Sequence, residues 1–143
     1  MAMRLKTLTY GLAACFALVG PVLLQYKDNL RGPLMARLLS HLALSLWFIS
    51  PFVLIALAVR HGRHPVMSYG ALVATLLAGL LVIWHSGELL SLPASSAFMS
   101  MFFVTIFQHA IVIPTLGLSL AFQLALTGDK QKGADASAPS SDR

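Results

Sequence analysis

The chain has 143 residues, 57% of them hydrophobic and 10% charged, with a net charge of +5 and a mean hydropathy of +0.79. A soluble domain carries about 25% charged residues, so this composition excludes a water-covered globule. With a single cysteine, Cys15, it also excludes an internal disulfide and a cysteine-built zinc site.

The charges sit at Arg4 and Lys6, between Lys27 and Arg37, at Arg60 and Arg63, at Glu88, and from Asp129 onward. An unpaired charge at mid-bilayer costs about 3 kcal/mol, so charge-free stretches bounded by basic residues mark membrane spans. No basic helix with interleaved aromatics is present to grip nucleic acid, and anionic lipid headgroups are the natural counter-charge. The sequence predicts an all-α integral membrane four-helix bundle, with transmembrane helices near 8–24, 38–59, 66–84 and 98–124. A four-span domain then covers 1–126, and a disordered polar tail covers 127–143.

The first span, Leu8 to Leu24, follows the basic start Arg4-Leu5-Lys6. A cleaved signal peptide fits poorly. The apolar run before Cys15 is short, Phe16-Ala17-Leu18-Val19 extends it past the cysteine, and no good small-x-small site precedes Gln25. A polar connection, Gln25 to Arg37, leads through Gly32-Pro33 to the second span, Leu38 to Val59, which contains Pro51. Arg60-His61-Gly62-Arg63-His64-Pro65 reads as a tight turn, with Gly62 at a helix C-terminus and Pro65 at the next N-terminus. His61 and His64 have metal-like spacing, but Arg60 and Arg63 oppose a cation there, and a solvated basic turn is the plainer reading.

The third span runs from Val66 to Trp84, and a mixed loop from His85 to Ser96 follows. The fourth, from Phe98 to about Leu126, exceeds one crossing and should tilt or kink at Pro114-Thr115-Leu116-Gly117. Residues after Thr127 offer nothing to bury. With the N-terminus inside, Arg4, Lys6, Arg60, Arg63, Lys130, Lys132 and Arg143 fall on the inner side, against Lys27, Arg31 and Arg37 outside. The positive-inside rule then places both termini in the cytoplasm, in a bacterial inner membrane.

Two helix faces stand out. In the third span Gly70, Ala74 and Ala78 recur every four residues, as do Ala71, Thr75 and Gly79, a pattern that lets helix backbones approach closely. It serves bundle packing, or docking of another subunit or a second copy. In the fourth span Gln108, Thr115, Ser119 and Gln123 form a polar stripe with Thr105 at its edge. Interhelical hydrogen bonding accounts for it, and a solute path is the sharper alternative.

Few ionisable residues lie in or near the spans: His41, His85, Glu88 and His109. His85 and Glu88 are one turn apart and can pair as i, i+3 neighbours. His109 is about eleven residues into its span, near mid-bilayer and roughly 10 Å deeper than His85. His109, with His41 or His85, is the candidate set for haem b or a quinone, because a neutral imidazole offers one acceptor and one donor nitrogen. Trp47 and Trp84 share that outer half, and Phe98, Phe102, Phe103 and Phe107 form an apolar surface. In size the chain resembles small multidrug-resistance transporters and bacterial fluoride channels. It departs from the former in having no glutamate in its first span, and from the latter in placing Asn29 in a loop. No catalytic constellation is legible. The leading expectation is an accessory or assembly subunit of a larger membrane complex. The alternatives are a homo-oligomeric transporter or channel lined by the stripe, and a haem- or quinone-binding redox subunit using His109.

Overall fold

A computed structural model describes the backbone of residues 2–26, 33–62 and 64–136. The connection at 27–32, Arg63 and residues 137–143 lie outside the described residues. The chain forms α1 (Ala2–Tyr26), α2 (Leu34–His61), α3 (Pro65–Ser91) and α4 (Ala94–Ala136). Each holds a stretch long and apolar enough to cross a membrane: Met3–Leu23, Leu34–His61, Pro65–Glu88 and Met99–Gly128. The fold is the expected all-helical membrane bundle. α2 and α3 touch each other across its centre, each also packs on α1 and on α4, and α1 and α4 occupy opposite corners.

Most helix ends follow from local chemistry. Pro33 precedes α2, and Pro65 opens α3 with the His64 ring accepting from Val66 N. Gly62 ends α2 in extended rather than left-handed backbone. Its lack of a side chain matters because a Cβ there would press on Met67 and the Ala58 carbonyl.

The expected loop from His85 to Ser96 is a correction. α3 continues to Ser91, and only Leu92 and Pro93 separate it from α4. The fall in hydropathy after Trp84 is not a helix stop. Ser86 bonds back to the Val82 carbonyl, Glu88 and its leucine neighbours are good helix formers, and the first real breaker is Pro93. At the other end, α4 continues past Leu126 to Ala136, into residues expected to be tail. A running helix needs no new nucleus to extend through lysines and alanines.

The bundle buries small, apolar and hydroxyl side chains within and is apolar without. Phe48, Phe52, Ile55 and Val59 of α2 meet Ala71, Ala74, Ala78 and Val82 of α3, with Ala13 and Ala17 of α1 and Val112 of α4. Thr9, Ser68, Thr75, Thr105, Gln108 and Ser119 are buried among them. Large leucines, phenylalanines and tryptophans cover the outside. Lipid tails give no hydrophobic drive between helices, so close packing and interhelical hydrogen bonds hold such an assembly. The small residues of α3 are used in this way. Gly70 lies against Ser119 of α4, Gly79 against the Phe16 ring of α1, and Ala71, Ala74, Thr75 and Ala78 are fully buried.

Candidate functional site

The polar stripe of α4 faces inward. Thr105 and Gln108 are fully buried and Ser119 nearly so, while Thr115 and Gln123 are half-buried. The hydroxyls of Thr105, Thr115 and Ser119 each bond to the carbonyl four residues earlier. Gln108 reaches across to α3, its Nε2 donating to the Ala78 carbonyl at 3.4 Å, and its Oε1 has no partner among the described residues. Neither described surface groove is lined by the stripe.

His109 sits where α4 meets α2. Its Nδ1 donates to the Thr105 carbonyl at 2.8 Å, and its Nε2 lies 3.1 Å from Ser50 Oγ. The ring stacks on Trp47 at 5.2 Å, and Trp47 stacks in turn on Phe102 at 5.6 Å. Ser50 has a second duty that its position explains. Pro51 has no N–H to return to the Trp47 carbonyl, and the Ser50 hydroxyl supplies that bond at 2.6 Å. Sequence reasoning missed Ser50, although a serine immediately before a mid-helix proline was a usable signal.

The three histidines do not converge. His41 is half-buried on α2, nine residues or about 13 Å along that helix from Ser50. His85 binds elsewhere: Nδ1 is 3.1 Å from Glu88 Oε2, and Nε2 meets Ser100 Oγ of α4. Among the described residues no group of three histidine, cysteine or acidic side chains is close enough to hold a metal ion.

The Glu88–His85–Ser100 cluster exists because α3 runs on past Trp84. The extra turn puts Glu88 on the His85 side of the helix, and the two-residue turn at Leu92 and Pro93 returns Ser100 beside the ring. An apolar groove of about 330 Å³ adjoins it, lined by Leu81, Trp84, Phe103, Val104 and Phe107 together with His85 and Ser100. Ser100 escaped sequence reasoning because a presumed loop separated it from His85.

The far side of α4 carries Ala110, Pro114, Gly117, Ala121, Ala125 and Gly128, all exposed. At 100° per residue they fall within about 80° of one another, opposite Gln108 and Ser119. A Cβ on Gly117 or Gly128 would meet open space. Pro114, inside the helix, leaves the Ala110 carbonyl without its helical donor, and no described side chain replaces it as Ser50 does for Trp47. No protein-family model matches this chain, and no curated protein or solved structure shows significant similarity to it, so its function is read from these side chains alone.

Proposed function

We propose that the protein is an accessory or assembly subunit of a larger membrane complex, and that the outer face of α4 receives a helix of another subunit. The observation that carries this is the Ala110 carbonyl. It lies within the Met99–Gly128 span, on an exposed row of small residues, and Pro114 cannot give it the N–H that an unbroken helix would. A backbone carbonyl that loses its helical donor in hydrocarbon needs another, and a row of small side chains is where a second helix approaches closely enough to offer one. The partner helix therefore presents small residues with a hydroxyl or amide donor among them. The small residues of α3 are consumed inside the bundle, so α4 is the better docking element.

The test is affinity purification of the full chain in a gentle detergent. A stoichiometric membrane partner should co-purify, and Gly117→Phe and Ala121→Phe should each lose it without lowering membrane levels. Recovery of a lone monomer sinks the proposal. Disulfide trapping of two copies through Gly117→Cys would replace it with self-assembly, the arrangement a small transporter or channel needs.

We also place the protein in a bacterial inner membrane with its N-terminus inside. Lys6 Nζ donates to the Gly62 carbonyl at 2.9 Å, tying the start of α1 to the basic α2–α3 turn on one side of the bundle. Grouped positive charge belongs on the cytoplasmic side. Reporter fusions after Gly62 should read cytoplasmic, and a fusion after Leu92 should read external. A cytoplasmic signal after Leu92 reverses the assignment.

A further inference from the structure

We propose that Ser100, His85 and Glu88 form a nucleophilic site for acyl esters at the membrane surface. The three side chains stand in the order that serine acyl transfer requires: hydroxyl, imidazole, carboxylate. The proton count is consistent. His85 Nδ1–H donates to Glu88 Oε2 at 3.1 Å, which leaves Nε2 bare to accept the Ser100 hydroxyl proton.

Two comparisons within the molecule set this hydroxyl apart. Thr9, Thr75, Ser86, Thr105, Thr115 and Ser119 all turn their hydroxyls back onto the carbonyl four residues earlier. Ser100 instead directs its oxygen to an imidazole on the neighbouring helix. The other serine–histidine pair, Ser50 with His109, fails as a relay. His109 Nδ1 is bound to a backbone carbonyl and not to a carboxylate, and the Ser50 hydroxyl is shared with the Trp47 carbonyl.

The surroundings name the substrate class. Leu81, Trp84, Phe103, Val104 and Phe107 make the adjoining groove almost wholly apolar, which suits an acyl chain and gives no purchase to a charged head. The site lies where the α3 span ends and the α4 span begins, at the level where an ester drawn from the bilayer meets water. Ser100 Oγ attacks the ester carbonyl carbon while His85 Nε2 takes its proton. The C–O bond to the alcohol breaks, and the alcohol leaves with that proton, giving an acyl group on Ser100. Water then attacks the acyl carbon and passes its proton to His85. The bond to Ser100 Oγ breaks, releasing the free acid and restoring the hydroxyl. Glu88 acts through His85, as a positioning residue.

The experiment uses the full chain in detergent with a fluorophosphonate–rhodamine probe, locating the labelled serine by peptide mass spectrometry. Label should appear on Ser100 and vanish in Ser100→Ala. His85→Asn should slow labelling by about 100-fold or more. Glu88 is 61% exposed, so Glu88→Gln leaves the fold alone, and it should slow labelling roughly tenfold. Ser50→Ala should label like the wild type, and hydrolysis of p-nitrophenyl octanoate should follow the same order. A wild-type chain whose Ser100 stays unlabelled overturns the proposal, as does labelling at an undiminished rate in His85→Asn. Either result makes the cluster a helix–helix staple only.

Discussion

Gly70→Leu is expected to destabilise the bundle by about 3 kcal/mol, and Gly70→Ala by about 1–2 kcal/mol. A Cβ at Gly70 would stand 2.6 Å from Ser119 Cβ, closer still to Ser119 Oγ, and 3.8 Å from the Thr115 carbonyl. Ser119 Cβ is fixed to its helix and cannot swing aside, so α3 and α4 must part along their contact. Gly79 is a gentler case, because a Cβ there meets the end of the Phe16 ring, which turns more easily. Unfolding followed by SDS titration in mixed micelles measures the loss. The double change Gly70→Ala with Ser119→Gly should recover most of it, since the two positions share one clash. An unaltered stability for Gly70→Leu would mean that α3 and α4 are not in contact here.

Phe52→Ala is expected to cost about 2–3 kcal/mol in the same assay. The ring is 3% exposed and lies 6.4 Å from the Phe16 ring, tilted by 30°. In a soluble core a Phe→Ala change costs about 3–5 kcal/mol, part of it lost transfer from water and part the cavity left behind. Within a bilayer the reference is hydrocarbon, so the transfer part falls away and the lost packing contacts carry the effect. Leu118→Ala, removing a side chain that is 63% exposed, should change stability by less than about 0.5 kcal/mol. A larger loss at Leu118 than at Phe52 would show that the inside and outside of the bundle have been exchanged.

The membrane spans were legible because the bilayer imposes a length and forbids charge, and both constraints are written directly in the residue order. The packing face of α3 was legible too, since Gly70, Ala74 and Ala78 align by period alone. The end of α3 was not. His85, Ser86 and Gly87 lower the hydropathy without breaking the helix, so reading apolarity as a proxy for helix stopped α3 seven residues early. That error hid Ser100, whose relation to His85 exists only if the chain turns at Leu92 and Pro93. His109 was legible as a deep polar residue, but its partner lies on a different helix, and no spacing rule reaches from position 109 to position 50. The outer row of α4 was overlooked because Pro114 and Gly117 read first as a kink. Their exposure, and the inward direction of Gln108, show that this side of the helix faces outward.

The four spans are unequal, and the inequality is arranged laterally. The apolar stretches of α2 and α4 run to 28 and 30 residues, against 21 and 24 in α1 and α3, or roughly 42–45 Å against 32–36 Å at 1.5 Å per residue. Because α2 packs on α4 while α1 stands at the corner opposite α4, the two longer apolar stretches share one flank of the bundle. Lipid must meet both heights within the circumference of a single small protein. The tall flank draws the leaflets thicker or leans over to shorten its projection, and the short flank pinches them. Each ångström of mismatch costs a fraction of a kcal/mol. The elastic energy of the surrounding bilayer therefore favours a lean of this bundle. A second body with equally long spans against the α2–α4 flank would spare the lipid its stretching.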